Sequence, residues 1–150
     1  TRKRRHHNHH NRMSTIVNII MYLWQLPQNI AGLVVKVVVR SRTVSVNERD
    51  GVLIHSVRKF HGGVSLGRYV FCYCKPDRHN ASRVMMAHEY GHSVQSRRWG
   101  WLYLPVVGLV SAIRCQFRIY KDGEYFDGWP ERQADELGGV KRDANGKRFV

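Results

Sequence analysis

The pentapeptide His88-Glu89-Tyr90-Gly91-His92 constrains the fold more than any other part of the chain. Two histidines four residues apart share a face only on a helix, one turn above the other. The flanks agree with that conformation. Met85, Met86, Ala87, Tyr90 and Val94 make the neighbourhood apolar, as a buried helix needs. Asn80 or Ser82 is a candidate N-cap, and the pattern predicts a helix over about residues 83 to 97. Gly91 lowers helix propensity there by about 1 kcal/mol, which predicts that something approaches the backbone closely at that point.

A second helix is predicted over about residues 129 to 138, in WPERQADELGG, with Pro130 suited to its first turn. Glu131 and Asp135 are spaced i, i+4 and so share a face. Acids are common near a helix N-terminus in any case, so a solvated face is the plain alternative for this pair.

Zinc takes neutral imidazole nitrogen and carboxylate oxygen in a tetrahedral shell, and a hydrolytic site keeps one position for water. His88 and His92 can reach one ion, and Glu131 can complete a shell of two histidines and one glutamate. Asp135 can accept the remaining ring N–H of a ligand histidine, His88 first among them, and so fix its tautomer. Glu89 flanks the place of the bound water. It can act as general base and pass the proton to a leaving amine. This is the logic of the H-E-x-x-H motif.

Charge and apolar patterning bound the rest. The formal net charge is +14 over 150 residues. Residues 1 to 12, TRKRRHHNHHNR, lack any apolar residue and read as a disordered basic tail upstream of Met13. They hold only five of the 25 Lys and Arg residues, so the body stays basic against 11 acids. An anionic membrane surface is favoured narrowly over charge that only confers solubility; nucleic acid is disfavoured, because no recognisable binding motif is present. Cys72, Cys74 and Cys115 have no framework spacing and read as reduced thiols.

Residues 13 to 43 form an apolar segment that Asn18, Gln25, Gln28, Asn29 and Lys36 interrupt and Pro27 breaks. A helix over about Ile16 to Leu26 and an apolar stretch over Ile30 to Val39 suit membrane contact or a core better than a clean span. The run Trp101 to Ile113 is likewise too short to cross a bilayer unaided. The domain proper is read as residues 44 to 150. It opens with a short strand at Val44 to Val46, a turn at Asn47 to Gly51, and a hairpin of Val52–Phe60 with Val64–Cys74 about His61-Gly62-Gly63. The fold class expected is α+β.

HEYGH followed by Glu131-Arg132-Gln133-Ala134-Asp135 resembles the gluzincin branch of zincin metallopeptidases, whose pattern is H-E-x-x-H and then E-x-x-x-D on a second helix. The resemblance implies a small zincin-like domain with His88, His92 and Glu131 as zinc ligands, Glu89 as catalytic base and Asp135 behind a ligand. It also implies that a peptide substrate runs along the edge strand before the metal helix, here Val64, Ser65, Leu66, Gly67, Arg68 and Tyr69. The candidate donors to an oxyanion are His55, His61, Tyr120 and Tyr125. The chain is similar, too, to short uncharacterised bacterial membrane-associated proteins that share WQLPQN, the SLG strand, the HEYGHSVQS helix and a closing AD-x-LGGV.

The expected function is zinc-dependent hydrolysis of peptide bonds in a peptide or protein substrate, at a membrane, with the site on the cytoplasmic side. The alternatives are a non-catalytic zinc-stabilised module that binds lipid or protein, and a soluble cytoplasmic location.

Overall fold

A computed structural model describes residues 15–117 and 125–150. The tail read at residues 1 to 12 and the candidate Tyr120 lie outside the described residues. The architecture is α+β, a four-stranded mixed sheet between helical layers.

The apolar N-terminal segment forms α1 (Thr15–Trp24) and α2 (Leu26–Val38), parted at Gln25 with Pro27 in the first turn of α2. The stretch Ile30 to Val39 is thus mostly helix. Its polar interruptions form a joint. Gln28, fully buried, donates through Nε2 to Ser96 Oγ at 3.0 Å and to the Gly100 carbonyl at 2.8 Å. Ser96 Oγ donates in turn to Gln25 Oε1 at 2.8 Å. Asn29 Oδ1 accepts the Arg68 N–H at 2.9 Å. Buried amides need partners, and here the partners come from the helix that carries His88 and His92, from Gly100 just beyond it and from the loop that holds Arg68.

The strands are β1 (Thr43–Arg49), β2 (Val52–Val57), β3 (Gly63–Leu66) and β4 (Tyr69–Tyr73), in the order β1-β2-β4-β3. β1 and β2 are antiparallel about Asp50-Gly51, both at positive φ as a type I′ loop requires. β1 therefore runs further than Val46, and the turn is shorter than the sequence suggests.

The expected hairpin of Val52–Phe60 with Val64–Cys74 is not formed. Gly67, with φ +66°, and Arg68 make a two-residue loop that splits the second run into β3 and β4. β4 then inserts between β2 and β3 and pairs parallel to β2. Insertion hides it on both edges, which suits the unbroken apolar run Tyr69–Cys72.

Alternation along the strands divides the core. Val52, Ile54, Val70 and Cys72 face α3 (Arg83–Trp99) and pack with Ala81 and Tyr90. Tyr69, Phe71 and Val57 face the opposite way, with Val39 and Val35 of the α2 side. Beyond α3 the chain passes through a 3-10 turn (Gly100–Leu102) and a π-helical turn (Tyr103–Gly108) into α4 (Leu109–Phe117). The run from Trp101 is buried on one side only: Tyr103 and Val107 face inward, and Trp101, Leu102, Leu109, Ile113 and Phe117 outward. Helix α5 (Glu131–Gly138) then packs on α3, and a short ribbon, β5 (Lys141–Arg142) with β6 (Arg148–Phe149), follows.

Candidate metal centre

Helices α3 and α5 approach more closely than side chains would allow. A Cβ built on Gly91 would fall 1.8 Å from the Ala134 carbonyl oxygen, and one on Gly138 would fall 1.9 Å from that of Ala87. Each glycine gives the other helix room for its backbone. This is the close neighbour that Gly91 predicted, and it brings the two halves of the pattern together.

At that crossing the Nε2 atoms of His88 and His92 lie 3.0 and 3.1 Å from the same carboxylate oxygen, Oε2 of Glu131. Ligand atoms of the three buried residues all lie within 4.8 Å of one another. Each ring's other nitrogen is engaged. His88 Nδ1 meets Asp135 Oδ1 at 2.8 Å, and His92 Nδ1 meets Gln95 Oε1 at 2.7 Å. Gln95 Nε2 donates to the Pro130 carbonyl and to Gln133 Oε1, both at 2.9 Å, so its oxygen has to face His92. Both rings therefore carry their proton on Nδ1 when neutral. That leaves two Nε2 lone pairs and a carboxylate oxygen converging on one point, an arrangement that only positive charge satisfies. The residues fit a metal ion.

Without a metal, protons supply that charge. Burial opposes a charged imidazole, but the Asp135 and Glu131 carboxylates outweigh it and lift His88 to about 9. His92 is raised as well; burial again opposes, and Glu131 prevails. Burial would push Glu131 up, yet the two histidines and Ser111 hold it below the usual carboxylate range.

The shell behind the ligands draws on elements distant in sequence. Ser111 of α4 donates to Glu131 Oε1 at 2.5 Å, which commits the oxygen pointing away from the histidines. Arg142 and Arg148 of the β5–β6 ribbon pair with Asp135, and Arg148 also stacks 3.6 Å from the Phe126 ring centroid. Phe126 meets His88 edge-on at 5.2 Å. Sequence reasoning missed Gln95, Ser111, Arg142 and Arg148. Only Gln95 carried a signal, three residues beyond His92 on the same helix.

Glu89 is buried beside the cluster, and burial first of all raises its carboxyl. A Cβ on Gly63 would fall 2.3 Å from Glu89 Oε1, so the start of β3 lies directly against this carboxylate. Val64, Ser65 and Leu66 lie on that edge strand, but Gly67 and Arg68 form the loop after it. Tyr69 belongs to β4, paired on both sides, and offers no edge. Of the candidate oxyanion donors, Tyr125 lies 3.4 Å from Ser111 Oγ, near Glu131. His55 points to the other face of the sheet, stacked 5.0 Å from Phe71, and His61 is exposed in the loop before β3. The three cysteines are free, with Cys72 and Cys74 buried.

No protein-family model matches this chain, and no curated protein or solved structure does either.

Proposed function

We propose that the protein is a zinc-dependent metallopeptidase that works at a membrane surface. The observation that carries the reading is the convergence of His88 Nε2, His92 Nε2 and Glu131 Oε2 beside a buried glutamate, Glu89. Two imidazoles and a carboxylate are a donor set that zinc favours, and three protein ligands leave a position for water. When bound, the ion supplies Lewis-acid polarisation of the scissile carbonyl and of a water.

The chain's own residues do the rest. Asp135 and Gln95 hold the rings with Nε2 toward the ion, and Ser111 holds Glu131. Glu89 takes the water's proton and delivers it to the leaving nitrogen. Its raised affinity for a proton suits both halves of that task. The edge strand β3 runs past Glu89, where an extended peptide can add to the sheet. The gluzincin pattern in the sequence agrees with the roles given to His88, Glu89, His92, Glu131 and Asp135.

Exposed apolar side chains support the membrane setting. Ile16, Ile19, Ile20 and Leu23 of α1, Val34, Val37 and Val38 of α2, and Trp101, Leu102 and Phe117 beyond α3 all face outward. The Trp101 indole N–H donates to the Leu23 carbonyl at 2.9 Å, tying two of these surfaces together. Residues 1 to 47 and 90 to 121 contain no acid, so the apolar faces carry only positive charge, as an anionic leaflet favours. Free buried thiols favour the cytoplasmic side.

The test is Glu89→Gln. Metal content should be unchanged and hydrolysis of any peptide substrate should fall by at least about a thousandfold. Wild-type rates in that variant exclude the mechanism. Glu131→Ala, analysed for bound zinc, checks the ligand set independently of turnover.

A further inference from the structure

The backbone groups of β3 divide between its partner and the open edge. The Tyr73 N–H donates to the Gly62 carbonyl at 2.8 Å, and the register pairs Gly63 with Cys72, Val64 with Phe71 and Ser65 with Val70. Antiparallel pairs alternate between bonded and non-bonded, so Val64 and Leu66 turn their N–H and C=O toward β4. Gly63 and Ser65 turn theirs outward.

The two outward positions differ. Ser65 is buried, and its carbonyl already accepts the Tyr103 hydroxyl at 3.2 Å. Tyr103 opens the π-helical turn that follows α3 and is itself buried against the edge. One position further, the Gly67 carbonyl accepts Ser93 Oγ at 2.7 Å. Gly63 is half-buried and lies against Glu89, with its N–H and C=O turned to the open edge.

We infer that Tyr103 sets the substrate class of the peptidase proposed above: short peptides, or the ends of longer chains. A peptide laid along β3 gains both hydrogen bonds at Gly63, next to the catalytic base. Two residues further along the strand it meets the Tyr103 phenol, which already donates to the Ser65 carbonyl in place of the peptide's next N–H. The ladder therefore ends after one bonded pair on that side of the scissile bond, and the tyrosine ring fills the space into which a longer chain would continue. π-Helical turns inside longer helices are uncommon and cluster at functional sites, and this one delivers Tyr103 to the edge. The inference rests on the peptidase reading, and the experiment separates the two.

The experiment uses the full-length zinc-loaded chain and a series of end-blocked, internally quenched peptides. All share one cleavable core and are lengthened residue by residue on one side or the other. For wild type, kcat/KM should fall by about tenfold or more once extension on one side passes Tyr103, because the ring stands in the path of the added residue, and should tolerate extension on the other. Tyr103→Phe, which frees the Ser65 carbonyl, should reduce the short-to-long ratio. Tyr103→Ala, which also frees the space, should bring it close to one, with zinc content confirming that the site persists. Equal wild-type rates at all lengths overturn the inference and leave the peptidase reading standing. So does an unchanged ratio in zinc-loaded Tyr103→Ala. Absence of cleavage across the whole wild-type series overturns the peptidase reading and the inference with it.

Discussion

Gly91 and Ala134 are in backbone contact: a single added carbon on the glycine would overlap the alanine carbonyl oxygen at 1.8 Å. The obstacle is main chain on a helix, so it cannot turn aside as a side chain would. Gly91→Ala should therefore push α5 from α3, destabilise the fold by about 3 kcal/mol or more, and separate Glu131 from the histidines. Denaturant unfolding with a parallel zinc titration checks both effects. Gly139→Ala is the control, since nothing lies within 4 Å there, although its φ of +84° adds modest strain of its own.

Gln95 determines which nitrogen of His92 faces Glu131 and would face a metal ion. Gln95→Leu keeps the bulk and removes the acceptor, leaving the imidazole free to turn or change tautomer. Zinc affinity should fall by about 10- to 100-fold, read by competition with a calibrated chelator. An unchanged affinity would show that packing alone holds the ring.

The metal-free protein should lose stability as the medium becomes alkaline. His88 titrates near 9 in the fold against an ordinary value of 6.5, so its charged contacts with Asp135 and Glu131 contribute fully below 6.5 and vanish as pH rises through 9. Zinc replaces those protons, so metal uptake should release protons and weaken as the medium is acidified through the same range. Thermal unfolding from pH 6 to 10, with and without zinc, should give opposite slopes.

Membrane contact predicts partitioning onto vesicles containing anionic lipid that weakens with salt. Ile19→Glu with Val37→Glu places two acids on outward apolar faces, 54% and 74% exposed, away from the metal ligands. The double variant should leave zinc affinity unchanged and lower vesicle binding by about tenfold or more. Binding that survives both the charges and high salt would point to another partner for these faces.

The clustering of His88, His92, Glu131 and Asp135 was legible because helix spacing is local. His88 and His92 repeat at one turn, Glu131 and Asp135 do the same, and Gly91 marks its close neighbour by its cost. The strand order was not. Val64 to Cys74 reads as one run, yet Gly67 turns it, and nothing nearby states that β4 will slip between β2 and β3. Ser111, Arg142 and Arg148 share neither spacing nor periodicity with the ligands. They are brought in by tertiary packing, and so are Gln25, Gln28 and Asn29, which read as flaws in an apolar segment until Ser96 and Arg68 answer them.

The Arg148–Asp135 pair also fixes a sequence of events during synthesis. A chain leaving the ribosome exposes His88 and His92 early, then Ser111, then Glu131 and Asp135, and only afterwards the arginines that hold Asp135 in place. Until residue 148 has emerged, the carboxylate behind His88 lacks its counter-charges. A nascent chain thus carries both histidines and both acids before the contacts that hold Asp135 exist, and the cluster is complete only once the β5–β6 ribbon has emerged and folded back.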